Sequence, residues 1–104
     1  MTALFNRDAW VTLIGEEPGT KDVMLKEVRR LIIAGDVETA KVMLRTLITA
    51  TCGFPVISGD VGRNPKSIMR MLTPDTDPGI KAFMAVVNAT ERQLTINQMP
   101  DTER

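Results

Sequence analysis

The sequence predicts an all-α fold, a small bundle of five to six helices, and three observations carry that prediction. Apolar residues recur three and four positions apart over 21–34, 37–51 and 79–90, which lines them along one side of a helix. Between these stretches stand residues that stop and start helices: Gly35 then Asp36, and Gly62 then Asn64 and Pro65. Aromatics are scarce, with three Phe, one Trp and no Tyr, so seven Met with Leu, Ile and Val must fill the interior. Such a composition suits helices better than a sandwich. The 104 residues make one domain by length, and 43% hydrophobic with 25% charged residues argues against general disorder.

Taken in order, residues 4–14 offer Leu4, Trp10, Val11 and Ile14 for one apolar side, with Phe5 and Leu13 blurring the stripe. The run GEEPGT at 15–20 is turn chemistry. Over 21–34, Val23, Met24, Val28, Leu31 and Ile32 face inward, while Lys26, Glu27, Arg29 and Arg30 stay wet, Glu27 being placed to pair with its neighbours. Gly35 caps that helix and Asp36 starts the next. Its stripe is Ala40, Met43, Leu44, Leu47, Ile48 and Thr51. After a loop with two prolines at 74–79, a helix over 79–90 presents Ile80, Phe83, Met84, Val86 and Val87. The alternation in QLTIN, 93–97, reads as a short extended segment or an edge strand, and residues 98–104 as a flexible tail.

The stretch 54–73 is the most informative. Ile57 and Val61 lie four apart on one face of a short helix, and small Ser58 and Gly59 leave room for another helix to cross closely. Gly62 stands where the chain reverses and a positive φ is needed. Asn64 is an N-cap and Pro65 fits the first helical position of a second helix. There Ile68, Met71 and Leu72 form the buried stripe, leaving Arg63, Lys66, Ser67 and Arg70 outward. Two short helices about a glycine also occur in bundles that bind no nucleic acid.

This pattern resembles the helix-turn-helix of the lambda-repressor-like (Xre-type) DNA-binding domains, on Ile57, Ser58, Val61, Gly62, Ile68 and Met71. The sequel at 72–89 is similar to that family's loop and following helix. More narrowly, a helical lead-in followed by this motif is similar to addiction-module antidote (antitoxin-like) proteins. The resemblance covers roughly residues 37–96 and divides the chain into a lead-in at 1–36, a helix-turn-helix domain at 37–97 and the tail. It departs from the family at Arg63, where an apolar residue is usual, and at Asp75 and Asp77 in the loop. It implies that Lys66, Ser67 and Arg70 face base edges in the major groove and that Arg63 meets a phosphate. Asn64 either caps the helix or reaches DNA, and Met69 either touches a thymine methyl or packs. Arg70 is the best candidate for reading sequence, since its planar fork matches guanine O6 and N7.

Charge supports this weakly. Thirteen basic and thirteen acidic residues cancel, but 52–73 holds three basic residues against one acidic, and 74–104 three basic against five acidic. The cluster Lys26, Arg29 and Arg30 is read as a solvated helix face. Catalysis is not expected: there is no histidine, the one cysteine lacks an activating partner, and no phosphate-cradling fingerprint occurs. Asp75 and Asp77 lack the further ligands that a cation loop requires, and no cofactor or metal is expected. Lone Cys52 and the lack of a basic-then-apolar leader or a long apolar run lead to the expectation of a cytoplasmic protein with no membrane segment.

The reading that follows is a transcriptional regulator, antitoxin-like and autoregulatory, using helix 64–73 on double-stranded DNA, with a cognate toxin as a further partner. A single such helix reads few base pairs, so a homodimer is expected, through helix 79–90, the QLTIN segment or the N-terminal region. The alternative is a helical protein–protein interaction module, toxin-neutralising or adaptor, without DNA binding.

Overall fold

A computed structural model describes residues 6–17 and 19–98, with side chains through residue 95. Among the described residues there are six helices and no strand: α1 (Arg7–Glu16), α2 (Thr20–Ala34), α3 (Val37–Ala50), α4 (Phe54–Val61), α5 (Pro65–Met71) and α6 (Ile80–Gln98).

The first helix starts where Asn6 Oδ1 accepts from the Ala9 N–H at 3.0 Å, and it buries Ile14 with Trp10 half-buried four residues earlier. Val11 and Leu13 are exposed, so the inward face is narrower than the sequence predicts. Leu4 and Phe5 lie outside the described residues. The helix runs on through Gly15 and Glu16, which shortens the expected turn. In α2, Met24, Leu25, Val28 and Leu31 are buried, whereas Val23, expected inside, is 55% exposed. The inward arc is centred one residue further on than expected, so Leu25 takes the place assigned to Val23.

Gly35 ends α2 at φ 87°, its N–H reaching Ile32 O at 3.0 Å and the Asp36 N–H reaching Leu31 O at 2.8 Å. This paired closure satisfies the last carbonyls and requires a left-handed residue. Asp36 then caps α3, accepting from the Thr39 N–H and hydroxyl at 3.2 and 2.8 Å. Helix α3 is the centre of the molecule: Ala40, Leu44, Leu47 and Ile48 are wholly buried, with α2 and α1 packed against it. Thr51, expected on its buried stripe, is instead the C-cap. After Gly53 the chain turns by 107° into α4.

The C-terminal helix corrects the sequence reading most. Residues 93–97 are neither extended nor an edge strand: α6 continues through them to Gln98. Phe83, Val86, Val87, Thr90 and Leu94 are buried, a three-and-four spacing that carries on past residue 90. Thr90 is kept inside by donating its hydroxyl to Val86 O at 2.8 Å within the helix. No proline or glycine interrupts 80–98, so helical burial outweighs the short alternation. Ile80, expected in the core, is 62% exposed at the first turn. The segment 99–104, most of the expected tail, lies outside the described residues.

One hydrophobic cluster joins all six helices. Two polar ties add to it. Arg29 of α2 pairs with Glu91 and donates to Asn88 Oδ1, and Asp60 of α4 receives Arg92 and, at 2.9 Å, Gln93 Nε2. Among the described residues no single helix is long and apolar enough to cross a membrane.

Candidate nucleic-acid interface

Helix α4 buries Phe54 and Ile57 and rests on α5 and α6. At Gly62 the backbone takes φ 74°, and the N–H groups of Gly62 and Arg63 both reach Ser58 O, at 2.9 and 3.2 Å. The Ser58 hydroxyl also donates to Arg63 O. Small Ser58 is therefore used to lock the turn. The expected close crossing at Gly59 is absent, since a Cβ there would meet nothing within 4 Å. The flank of α4 at Gly59 faces open space, and α6 meets α4 elsewhere.

Asn64 is the N-cap of α5, its Oδ1 taking the Lys66 N–H at 2.8 Å, with Pro65 in the first turn. The helix ends at Met71, two residues short of the expected 64–73, because Leu72 leaves it and the Thr73 hydroxyl closes back on Arg70 O at 2.7 Å. Seven residues cannot hold a helix by propensity alone. Ile68, Met71 and Leu72 are buried, and their docking supplies what the local sequence lacks.

The opposite side of α5 is open. Arg63, Asn64, Lys66, Ser67 and Arg70 are exposed, and Met69 is 37% exposed beside them. Five of these six line one groove; Met69 does not. The facing wall is Thr76, Pro78, Gly79 and Ala82, from the loop and the start of α6. Among the described residues no carboxylate lines the groove, and Arg63, Lys66 and Arg70 form no ion pair. The single acid of the stretch, Asp60, is engaged by α6, and the Arg92 guanidinium, helped by Gln93, holds its carboxyl below the usual range. Asp75 and Asp77 line a neighbouring concavity with Glu38 and Lys41 instead. A neutral chain thus concentrates unpaired positive charge on one face.

The other basic cluster is largely spent. Arg29 pairs across to α6, and Arg30 pairs with Glu27, holding that carboxyl below its ordinary value. Cys52 is half-buried, and burial pushes its thiol up, away from a reactive thiolate. No group of three His, Cys, Asp or Glu able to hold a metal ion occurs among the described residues.

One residue next to this face escaped the sequence reading. Lys41 is 1% exposed, and its ammonium meets Thr73 O, Thr76 O and the Glu38 carboxylate. The signal was present: 41, 44 and 48 share a helix face, so a lysine stood on the buried stripe of α3. No family model, curated protein or solved structure matches the chain, so the meaning of this face rests on its own residues.

Proposed function

We propose that α4, the Gly62 turn and α5 act as a helix-turn-helix of the lambda-repressor-like kind, and that the protein is a sequence-specific DNA-binding regulator of transcription, antitoxin-like and autoregulatory. The observation that supports this most is the groove on α5, lined among the described residues by three cations and no carboxylate, on a helix whose other face is fixed in the core. Duplex DNA is a polyanion whose phosphates reward such a face, and base edges reward donors held rigidly upon it. In this reading Lys66, Ser67 and Arg70 meet base edges and Arg63 meets a phosphate. Asn64 serves mainly as the cap, and Met69 stands beside the groove within reach of a thymine methyl.

Fluorescence anisotropy with DNA from upstream of the coding region and with a scrambled duplex tests it. Tighter binding to the native duplex supports a sequence-reading regulator. A second reading, a helical module that holds a partner protein, is favoured by apolar side chains left outside on α2, where Ile33 is 87% and Val23 55% exposed. If neither duplex binds at low salt, that second reading replaces the first.

A further inference from the structure

We propose that Lys41 is the positioning residue of the α5 groove: from the buried side it sets the height of the loop wall and the end of α5. The inference rests on the DNA reading for its functional consequence, but its structural content stands on geometry alone.

An ammonium carries three hydrogens and no acceptor. At Lys41 each finds an oxygen: Thr73 O at 3.0 Å, Thr76 O, and Glu38 Oε2 at 3.1 Å. The two carbonyls belong to the first and fourth residues of the turn that leaves α5, and the Thr76 N–H closes that turn on Thr73 O at 3.3 Å. The hydroxyls of Thr73 and Thr76 bond each other at 2.7 Å, and the Thr73 hydroxyl reaches back to Arg70 O at 2.7 Å. A continuous polar chain therefore runs from α3 through Lys41 and Thr73 to the backbone of Arg70. Its other end, Thr76, is itself part of the groove wall.

A buried charge left without partners is costly, so the ammonium holds both carbonyls whenever the domain is folded. The segment 73–76 has no apolar residue but Pro74, which is exposed, so packing cannot hold it in place of that tie. Lys41, 1% exposed and with its three hydrogens taken, has almost no surface to offer a phosphate. Its action is to keep the two walls of the groove at a fixed separation before DNA arrives, which lowers the ordering cost of binding.

The test compares the wild type with Lys41→Met, Glu38→Gln and Arg63→Ala. Amide hydrogen exchange is read over residues 70–79, and anisotropy is read on a 20-bp random-sequence duplex across a salt series. Lys41→Met is expected to speed exchange over 70–79 by about tenfold or more, with α2 and α3 still protected. DNA affinity falls at every salt concentration, with the logarithmic salt slope unchanged. Arg63→Ala is expected to lower that slope by about 0.9. Glu38→Gln changes exchange less than about twofold, because the carbonyls remain. Unchanged exchange in Lys41→Met overturns the proposal. So does a slope that drops by about one in that variant, which would make Lys41 a phosphate contact. Should Lys41→Met fail to fold, the wild type labelled with 15N-lysine decides. A slowly exchanging Lys41 ammonium supports the tie, and one exchanging as fast as exposed Lys66 and Lys81 overturns it. If the wild type binds no duplex, the DNA reading fails while the exchange results still decide the role of Lys41.

Discussion

Arg70 sits on the exposed side of α5 with no carboxylate partner among the described residues, one residue before buried Met71, and its backbone carbonyl is held by Thr73. With its backbone fixed this way, Arg70 carries its planar fork from a set point on the helix, which suits the reading of one base. Arg70→Ala is predicted to cost about 1–3 kcal/mol on a preferred duplex and to relax preference at one base pair. Anisotropy on preferred and scrambled duplexes checks it, and equal losses on both would reassign Arg70 to the phosphate backbone. At this scale the caps were legible in the sequence: Gly35, Asp36, Gly62, Asn64 and Pro65 take the places their chemistry assigns. Lys41 was legible only in part: its place on the buried stripe of α3 could be read from spacing, but the oxygens that let a lysine stay there could not. Those partners, at residues 73 and 76, are brought to it only by the fold.

Helix α5 illustrates how an element too short for its own stability is held by three side chains. Ile68→Ala removes a wholly buried side chain from its docking face and is predicted to cost about 2–5 kcal/mol, read by urea unfolding. A cost under about 1 kcal/mol would mean that α5 is not anchored as described. Helix α6 is the element the sequence misjudged. Its last third carries an alternating run, and that local cue lost to the three-and-four burial of Thr90 and Leu94 together with the ties at Glu91, Arg92 and Gln93.

One of those ties makes stability depend on pH. The Asp60 carboxyl is held low in the folded protein, so its contribution is present above the ordinary aspartate range and is lost as pH falls through the folded value. Asp60→Asn is therefore predicted to be less stable than the wild type near pH 7. The gap should narrow toward about pH 2, below the ordinary aspartate value near 3.9. A gap that is constant from neutral to strongly acidic pH would show that Asp60 acts through packing and not through charge.

At the level of the whole molecule, zero net charge conceals a division of labour. Acidic groups near α5 are tied to α6 or turned into another concavity, while three cations line one groove. The bundle architecture was legible from periodicity and caps. The outward cations of α5 were legible too, but the removal of the nearby acids was not, because it depends on which partners the fold brings to each charge. A domain of this size with one such helix is predicted to act on DNA as a symmetric dimer. Analytical ultracentrifugation at micromolar concentration checks that, and a monomer both with and without DNA would contradict it.

The most direct measurement is the salt dependence of duplex binding for the wild type and for Arg63→Ala/Lys66→Ala/Arg70→Ala. If the groove is the DNA-facing surface, the wild type gives a steep logarithmic slope. The triple variant loses up to about 0.9 of slope for each cation that had met a phosphate, per protomer. Identical slopes in the two proteins, or no binding by the wild type at low salt, would contradict the assignment of this face to DNA.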